Sequence, residues 1–389
     1  MQTNVPPLPT LPMHLLLSMG CWLSSPFAWQ CANAAWPQSK NNASPGLQKA
    51  IAEEAKNRVN DLFAGLLRYQ DSDYKRNVEE PASIWRHGSA RLLDYGASAP
   101  VDAPMALFVP SLINRYYILD LEEERSLLRY IASQGIYPLV LDWGEPGDAE
   151  KKFGCEDYVA VLHSAIDFMH GMSKQKVALV GYCMGGVLAL AAAQLNTKKI
   201  SGLALLATPW DFHCREFAPF VVDKKWLPMV ESMIGAKEHL PARMIQSLFY
   251  MTDPWVFEQK FRRFAGLKAD SRAAKDFIAL EHWVNDGVPM TARVARDCLI
   301  GWVQENQLMK GGWQVAGKNI DPKKIKILTF IAMPKSDHVV PYDCAAPLAA
   351  MMPHAETIYP GAGHVGMIVG SNARRELWQP LAEWIKDIN

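Results

Sequence analysis

Residues 177–191 read VALVGYCMGGVLALA: an apolar run, then Gly181-Tyr182-Cys183-Met184-Gly185-Gly186, then a stretch of small and aliphatic residues. The run Val177-Ala178-Leu179-Val180 has the continuous hydrophobicity of a strand buried on both faces, and the stretch after Gly186 has helix-forming composition. A strand entering a helix through G-x-Nu-x-G is the layout of a nucleophile elbow, with Cys183 as the nucleophile. The turn is sharp and strained, so it demands small residues two before and two after the nucleophile. Gly181 and Gly185 supply them. The helix that follows aims its positive end at Cys183, which is expected to favour the thiolate, and the Met184 N–H is placed to hold an oxyanion.

Outward from the elbow, β-type runs occur at 89–95, 104–109, 137–142, 176–181, 202–207, 326–332 and 356–359. Helical patterns at 121–134 and 157–170 lie between some of them. Apolar strands alternating with helices predict an α/β protein with a mostly parallel sheet. The alternation breaks between Thr208 and about Lys323, where Trp, Phe and helical periodicity dominate, and this predicts a helical cap inserted at about 212–320. Upstream, a helix is expected over 47–69, where Ile51, Ala55, Val59, Leu62, Phe63 and Leu66 recur at three- and four-residue steps. The expected organisation is an apolar, helical region over 1–85 and a catalytic domain over 86–389.

A nucleophile after such a strand calls for an acid and then a histidine after later strands. The run Ile325 to Ala332 is followed by Asp337, and Thr357 to Tyr359 is followed by His364, set among Gly361, Ala362, Gly363 and Gly366. Chain order and placement give Cys183, Asp337 and His364 as the catalytic set. His338 is either a second base or a loop histidine. A second oxyanion donor is expected from the loop Pro110 to Tyr117, at the N–H of Ile113 or Asn114.

Composition narrows the function. The 389 residues carry 40 Lys+Arg and 40 Asp+Glu, and 49% are hydrophobic. Disorder and polyanion binding are therefore disfavoured, and no nucleic-acid partner is expected. Seven cysteines, odd in number and without a CxxC pair, fit a reduced, cytoplasmic chain without structural zinc. The six other than Cys183 read as structural thiols. The apolar stretch Leu11 to Trp29 lacks any preceding Lys or Arg and is broken by His14, Ser18, Ser24 and Pro26, which opposes a signal peptide or a spanning helix. A docked or surface-seeking helix is expected there, and no transmembrane span elsewhere.

The wording of the motifs resembles the polyhydroxyalkanoate synthases, a family of α/β-hydrolase fold. The resemblance is carried by Ile113-Asn114-Arg115-Tyr116-Tyr117, Leu141-Asp142-Trp143-Gly144, Gly181 to Gly186, Thr208-Pro209-Trp210-Asp211-Phe212, Asp337-His338-Val339-Val340-Pro341 and Gly363-His364-Val365-Gly366. In length and in 280–312 the chain is similar to the shorter synthases that work with an accessory subunit. The resemblance implies an acyltransferase that polymerises 3-hydroxyacyl-coenzyme A through an acyl group held on Cys183. Coenzyme A is the leaving group and no cofactor is required. His364 would act as general base, Met184 and Ile113 as oxyanion donors, Asp337 in activating the 3-hydroxyl, and His338 as a matching family histidine. Asn114, Trp210 and Trp283 would contact substrate, and a cap rich in aromatics (Phe212, Trp226, Phe249, Trp255, Phe257, Phe261, Trp283, Trp302) would exclude water. Implied partners are a polyester granule surface and an accessory subunit or a second copy. The alternative is a cysteine hydrolase, a thioesterase or an intracellular polyester depolymerase, with water as acceptor. A non-enzymatic granule or membrane-surface protein is opposed by the intact catalytic set.

Overall fold

A computed structural model describes residues 45–389 apart from 216, 218–220, 222–223, 225–226, 236–237 and 253–255. The apolar run at 11–29, Trp226 and Trp255 lie outside the described residues, as does the side chain of Phe249. The chain divides into two compact units: Arg76–Ile245 with Gly287–Asn389, and Gln246–Asp286 with the described residues up to Lys75.

The larger unit is built on eight strands: β1 (Ser83–His87), β2 (Ala90–Asp94), β3 (Met105–Val109), β4 (Tyr137–Asp142), β5 (Val177–Tyr182), β6 (Ile200–Leu206), β7 (Leu328–Ala332) and β8 (Glu356–Ile358). They are ordered β1-β2-β4-β3-β5-β6-β7-β8. β2 runs antiparallel to both β1 and β4, and every other pair is parallel. All five residues of β3 and all six of β5 are buried. That is the state their unbroken apolar sequence demands, since a parallel sheet is covered on both faces. The expected strands are all present. β1 is additional: it is a short edge strand whose half-exposed residues carry no continuous apolar signal.

Helices cover the sheet. Cys155–Ser173 starts where the Asp157 carboxylate accepts the Gly154 N–H at 2.7 Å, one half of a capping box. Met184–Leu195 follows the elbow and is buried along Met184 to Ala193, so its small side chains serve close packing on the sheet. The helix expected over 121–134 begins only at Leu127. Ser126 caps it by accepting the Arg129 N–H, and the residues before it form a short antiparallel ladder.

The smaller unit joins the helix Pro45–Gln70 to the helices Val256–Ala265 and Arg272–Asn285. Its core is Leu66, Tyr69, Phe257, Phe261, Phe264 and Ala274. A Cβ on Gly65 would lie 2.1 Å from the Phe261 carbonyl oxygen, so only glycine permits this helix approach. Phe264 stacks on Phe277 at 4.3 Å, and the Arg68 guanidinium covers its ring at 4.4 Å. Boundaries at 85 and at 212–320 therefore do not describe these units. Residues 257–264 bury their aromatic face against Leu66 and Tyr69, a pairing with no local signature.

Candidate active site

β5, β7 and β8 are parallel, so their carboxyl ends lie on one edge of the sheet, the edge where open α/β sheets hold their ligands. Cys183, Asp337 and His364 all follow those ends.

Cys183 has φ 55° and ψ −128°, a backbone conformation rarely taken by L-residues that costs about 1–3 kcal/mol. The structure around it enforces this conformation. Its N–H donates to the Leu206 carbonyl at 2.8 Å, and its own carbonyl accepts the Gly186 N–H at 2.9 Å. A Cβ on Gly181 would stand 2.4 Å from the Gly186 Cα, and one on Gly185 would stand 2.1 Å from the Val109 carbonyl oxygen. The elbow thus needs both glycines for reasons of close approach, and Gly185 docks the elbow helix on the end of β3. Met184 occupies the first helical position, where a backbone N–H has no partner within the helix.

The His364 Nδ1–H donates to Asp337 Oδ2 at 2.7 Å, and His364 and Asp337 are 8% and 5% exposed. The other carboxylate oxygen accepts the N–H groups of Val339 and Val340, both at 2.8 Å. Both oxygens are therefore engaged and the carboxylate is fixed in orientation. The Cys183 side chain also acts on the His364 imidazole. Burial acts against protonation of His364. The negative charges of Asp337 and Cys183 outweigh it and raise the imidazole to about 10.

Tyr182 has a role that residue patterns did not point to. Its ring packs on His364 with centroids 5.1 Å apart, and its hydroxyl donates to the His364 carbonyl at 3.3 Å. Burial, with the charges of Cys183 and Asp337, pushes the phenol well above its usual range, so it remains a donor. The available signal was an aromatic residue directly before the nucleophile.

The other expected residues divide. His338 is exposed, because the turn that directs Asp337 inward leaves the next residue on the solvent side. The Ile113 N–H donates to Ser111 Oγ at 3.2 Å and would have to leave it to serve an oxyanion. The Trp143 indole holds this loop by donating to the Pro110 carbonyl at 3.0 Å. Asn114 is half-buried and pairs through its backbone with Gly287. Trp210 is fully buried and its indole N–H has no partner among the described residues, so its ring offers no surface to a substrate. Trp283 is buried within the smaller unit. A small recess adjoins the loop, lined by Leu112, Trp143, Tyr158, Val288, Met290 and Val294. Among the described residues no three His, Cys, Asp or Glu side chains cluster to hold a metal ion.

The strand order, the elbow and the acid–histidine pair define the class, and residues 118–371 match the alpha/beta hydrolase fold model: the chain belongs to the α/β-hydrolase fold family. A monoacylglycerol lipase from Paleococcus ferrophilus shares that fold, with a TM-score of 0.50 and 14% identity over 77% of this chain and 99% of its own.

Residues 77–131 match the N-terminus of poly-beta-hydroxybutyrate polymerase (PhaC). The chain is 28% identical over 320 residues to the poly(3-hydroxyalkanoate) polymerase subunit PhaC of Haloarcula marismortui, covering 78% of this chain and 67% of that one. With the subunit of the same name from Thiocystis violacea it shares 25% identity over 349 residues, 87% of this chain and 97% of that one. The kinship with polyhydroxyalkanoate synthases that the motifs indicated is borne out, and the protein is an enzyme of that type. No described helix is long and apolar enough to cross a membrane.

Proposed function

We propose that the protein polymerises (R)-3-hydroxyacyl-coenzyme A into polyhydroxyalkanoate through an acyl group carried on Cys183. The observation that carries this reading is the His364–Asp337 hydrogen bond beside the Cys183 elbow, at the strand ends of a chain related to polymerases. The Cys183 sulfur attacks the thioester carbonyl, and the Met184 N–H faces the oxygen that gains charge. The carbonyl re-forms as the coenzyme A sulfur departs, and the His364 imidazolium gives it the proton. His364, neutral again, accepts the proton of a 3-hydroxyl group. That oxygen attacks the Cys183 thioester, an ester forms, and the sulfur is released for the next unit. Asp337 holds the imidazole in position throughout and offsets its charge.

The relatives are named as subunits. In this reading the protein works at the surface of a cytoplasmic polyester granule, as a second copy's partner or with an accessory chain.

Incubation with 3-hydroxybutyryl-coenzyme A tests the reading, with released coenzyme A, insoluble polymer and free acid measured separately. Polymer supports it. Free acid alone would mean that water is the acceptor and the enzyme is a hydrolase. Release of coenzyme A by Cys183→Ala as fast as by the wild type would remove Cys183 from the reaction.

A further inference from the structure

Two contacts join the elbow to the histidine loop and take no part in the reaction steps above. The Tyr182 ring lies against the His364 imidazole, with centroids 5.1 Å apart and planes 31° from parallel, and the Tyr182 hydroxyl donates to the His364 carbonyl at 3.3 Å. One side chain thus holds both the ring and the backbone of the histidine. His364 sits in a loop with Gly361, Ala362, Gly363 and Gly366, where small residues leave the backbone few steric restraints. Bonds tie this loop on either side: the Gly361 N–H donates to Glu376 Oε2 at 2.7 Å, and the Met367 N–H to the Gly363 carbonyl at 2.9 Å. The bond to Asp337 at 2.7 Å pins Nδ1. A single hydrogen bond fixes that corner and leaves the imidazole free to swing about it. The swing displaces Nε2, the nitrogen left for proton transfer with Cys183. A flat ring against one face of the imidazole stops the swing on that side.

Tyr182 is anchored well enough to serve as that stop. It closes β5, stands in register with Leu206 of β6 and is 3% exposed. The next residue is Cys183, whose N–H donates to the Leu206 carbonyl at 2.8 Å. The nucleophile and the surface that orients its base are therefore neighbours on one strand end, fixed to the same partner strand.

We propose that Tyr182 is a positioning residue for His364: its ring sets the tilt of the imidazole and its hydroxyl holds the backbone behind it, so that Nε2 is presented to Cys183. Buried as it is, Tyr182 offers the substrate no surface and acts through the histidine alone. This assignment rests on the reading that Cys183 and His364 carry the acyl transfer. Its effect belongs to the chemical step, because a base held at the wrong tilt meets the same bound substrate and moves the proton more slowly.

The test follows coenzyme A release from 3-hydroxybutyryl-coenzyme A in a single turnover of the full chain, which yields a saturating rate and a half-saturation concentration. Tyr182→Phe keeps the ring and removes the hydroxyl, and Tyr182→Met keeps bulk and removes the flat face. Loss of the hydroxyl bond should lower the saturating rate about three- to tenfold. Loss of the face should lower it about 10²-fold. The half-saturation concentration should stay within about twofold in both. Urea unfolding accompanies each variant, since a purely structural role would lower stability and leave the saturating rate of the folded enzyme intact. A fall in Tyr182→Met alone supports the ring contact and removes the hydroxyl bond from the account. Saturating rates within about twofold of the wild type in both variants overturn the proposal, as does a loss carried by the half-saturation concentration. If Tyr182→Met does not fold, Tyr182→Phe decides by the same criterion. Cys183→Ala and His364→Gln run alongside. Release by either as fast as by the wild type would remove the catalytic reading itself, whereas normal rates in the Tyr182 variants with those two inactive would remove only the role of Tyr182.

Discussion

Gly185→Ala tests the elbow geometry most directly. The new Cβ would fall 2.1 Å from the Val109 carbonyl oxygen and 2.5 Å from the Pro110 carbonyl oxygen, where ordinary contact begins at 3.4 Å. Both obstacles are backbone, so no side chain can turn away. The elbow helix and the end of β3 must part by roughly 1.3 Å, the shortfall against ordinary contact. Those two segments carry Cys183 with the Met184 N–H and the loop that faces them. A displacement of about 1 Å between reacting groups costs about 10²-fold in rate, equivalent to about 2.7 kcal/mol of activation free energy. Overpacking should also cost about 1–3 kcal/mol of stability. The assay is the rate of coenzyme A release from 3-hydroxybutyryl-coenzyme A, with urea unfolding run alongside. Gly171→Ala serves as the reference: it is exposed on the helix Cys155–Ser173, and its Cβ would meet nothing within 4 Å. It should leave the rate unchanged and stabilise by about 0.5–1 kcal/mol. A folded Gly185→Ala enzyme within threefold of the wild-type rate would refute the close-packing account of the elbow.

Three further outcomes are expected. His364 is raised to about 10 in the folded state against about 6.5 in the unfolded chain, so its stabilising contribution is complete below pH ~6.5 and is lost as pH rises through ~10. The stability advantage of the wild type over Asp337→Asn in urea unfolding should therefore shrink between pH 6.5 and 10, and a constant advantage would contradict the assignment. Trp210→Phe should preserve KM and cost less than about 1 kcal/mol, because the ring is buried and its N–H has no partner among the described residues; a fivefold rise in KM would place the indole against substrate. Asp120 is fully buried and binds Arg76 at 2.8 Å, Arg129 at 2.8 Å and the Tyr95 hydroxyl at 2.7 Å. Asp120→Ala strands these groups, and because both arginines are partly exposed the loss should fall near the lower end of the range for a broken buried pair, about 3 kcal/mol; chemical unfolding with a loss under 1 kcal/mol would show that solvent replaces the carboxylate.

Much of the larger unit was legible because its signals are local. A strand buried on both faces must be apolar without interruption, and β5 and β3 are. The elbow is a steric demand within six residues, which Gly181 and Gly185 answer. The order nucleophile, acid, histidine follows from a parallel sheet that presents all its strand ends on one edge. The helix start at Leu127 was missed because Leu121 continues the apolar period, while the Ser126 cap decides the boundary.

Residue identity and chain order thus determined the sheet, the elbow and the placing of Cys183, Asp337 and His364 after its strand ends, since each depends on sterics and hydrophobicity over a few neighbouring residues. Tertiary structure alone decided what depends on packing between distant segments. It turned the Asp337 carboxylate onto His364 Nδ1, left His338 in solvent and sealed Trp210 from substrate. It also set Tyr182 against the histidine and grouped 246–286 with the first described helix. Hydrophobic burial is non-directional, so an apolar residue announces that it will be covered without naming what covers it.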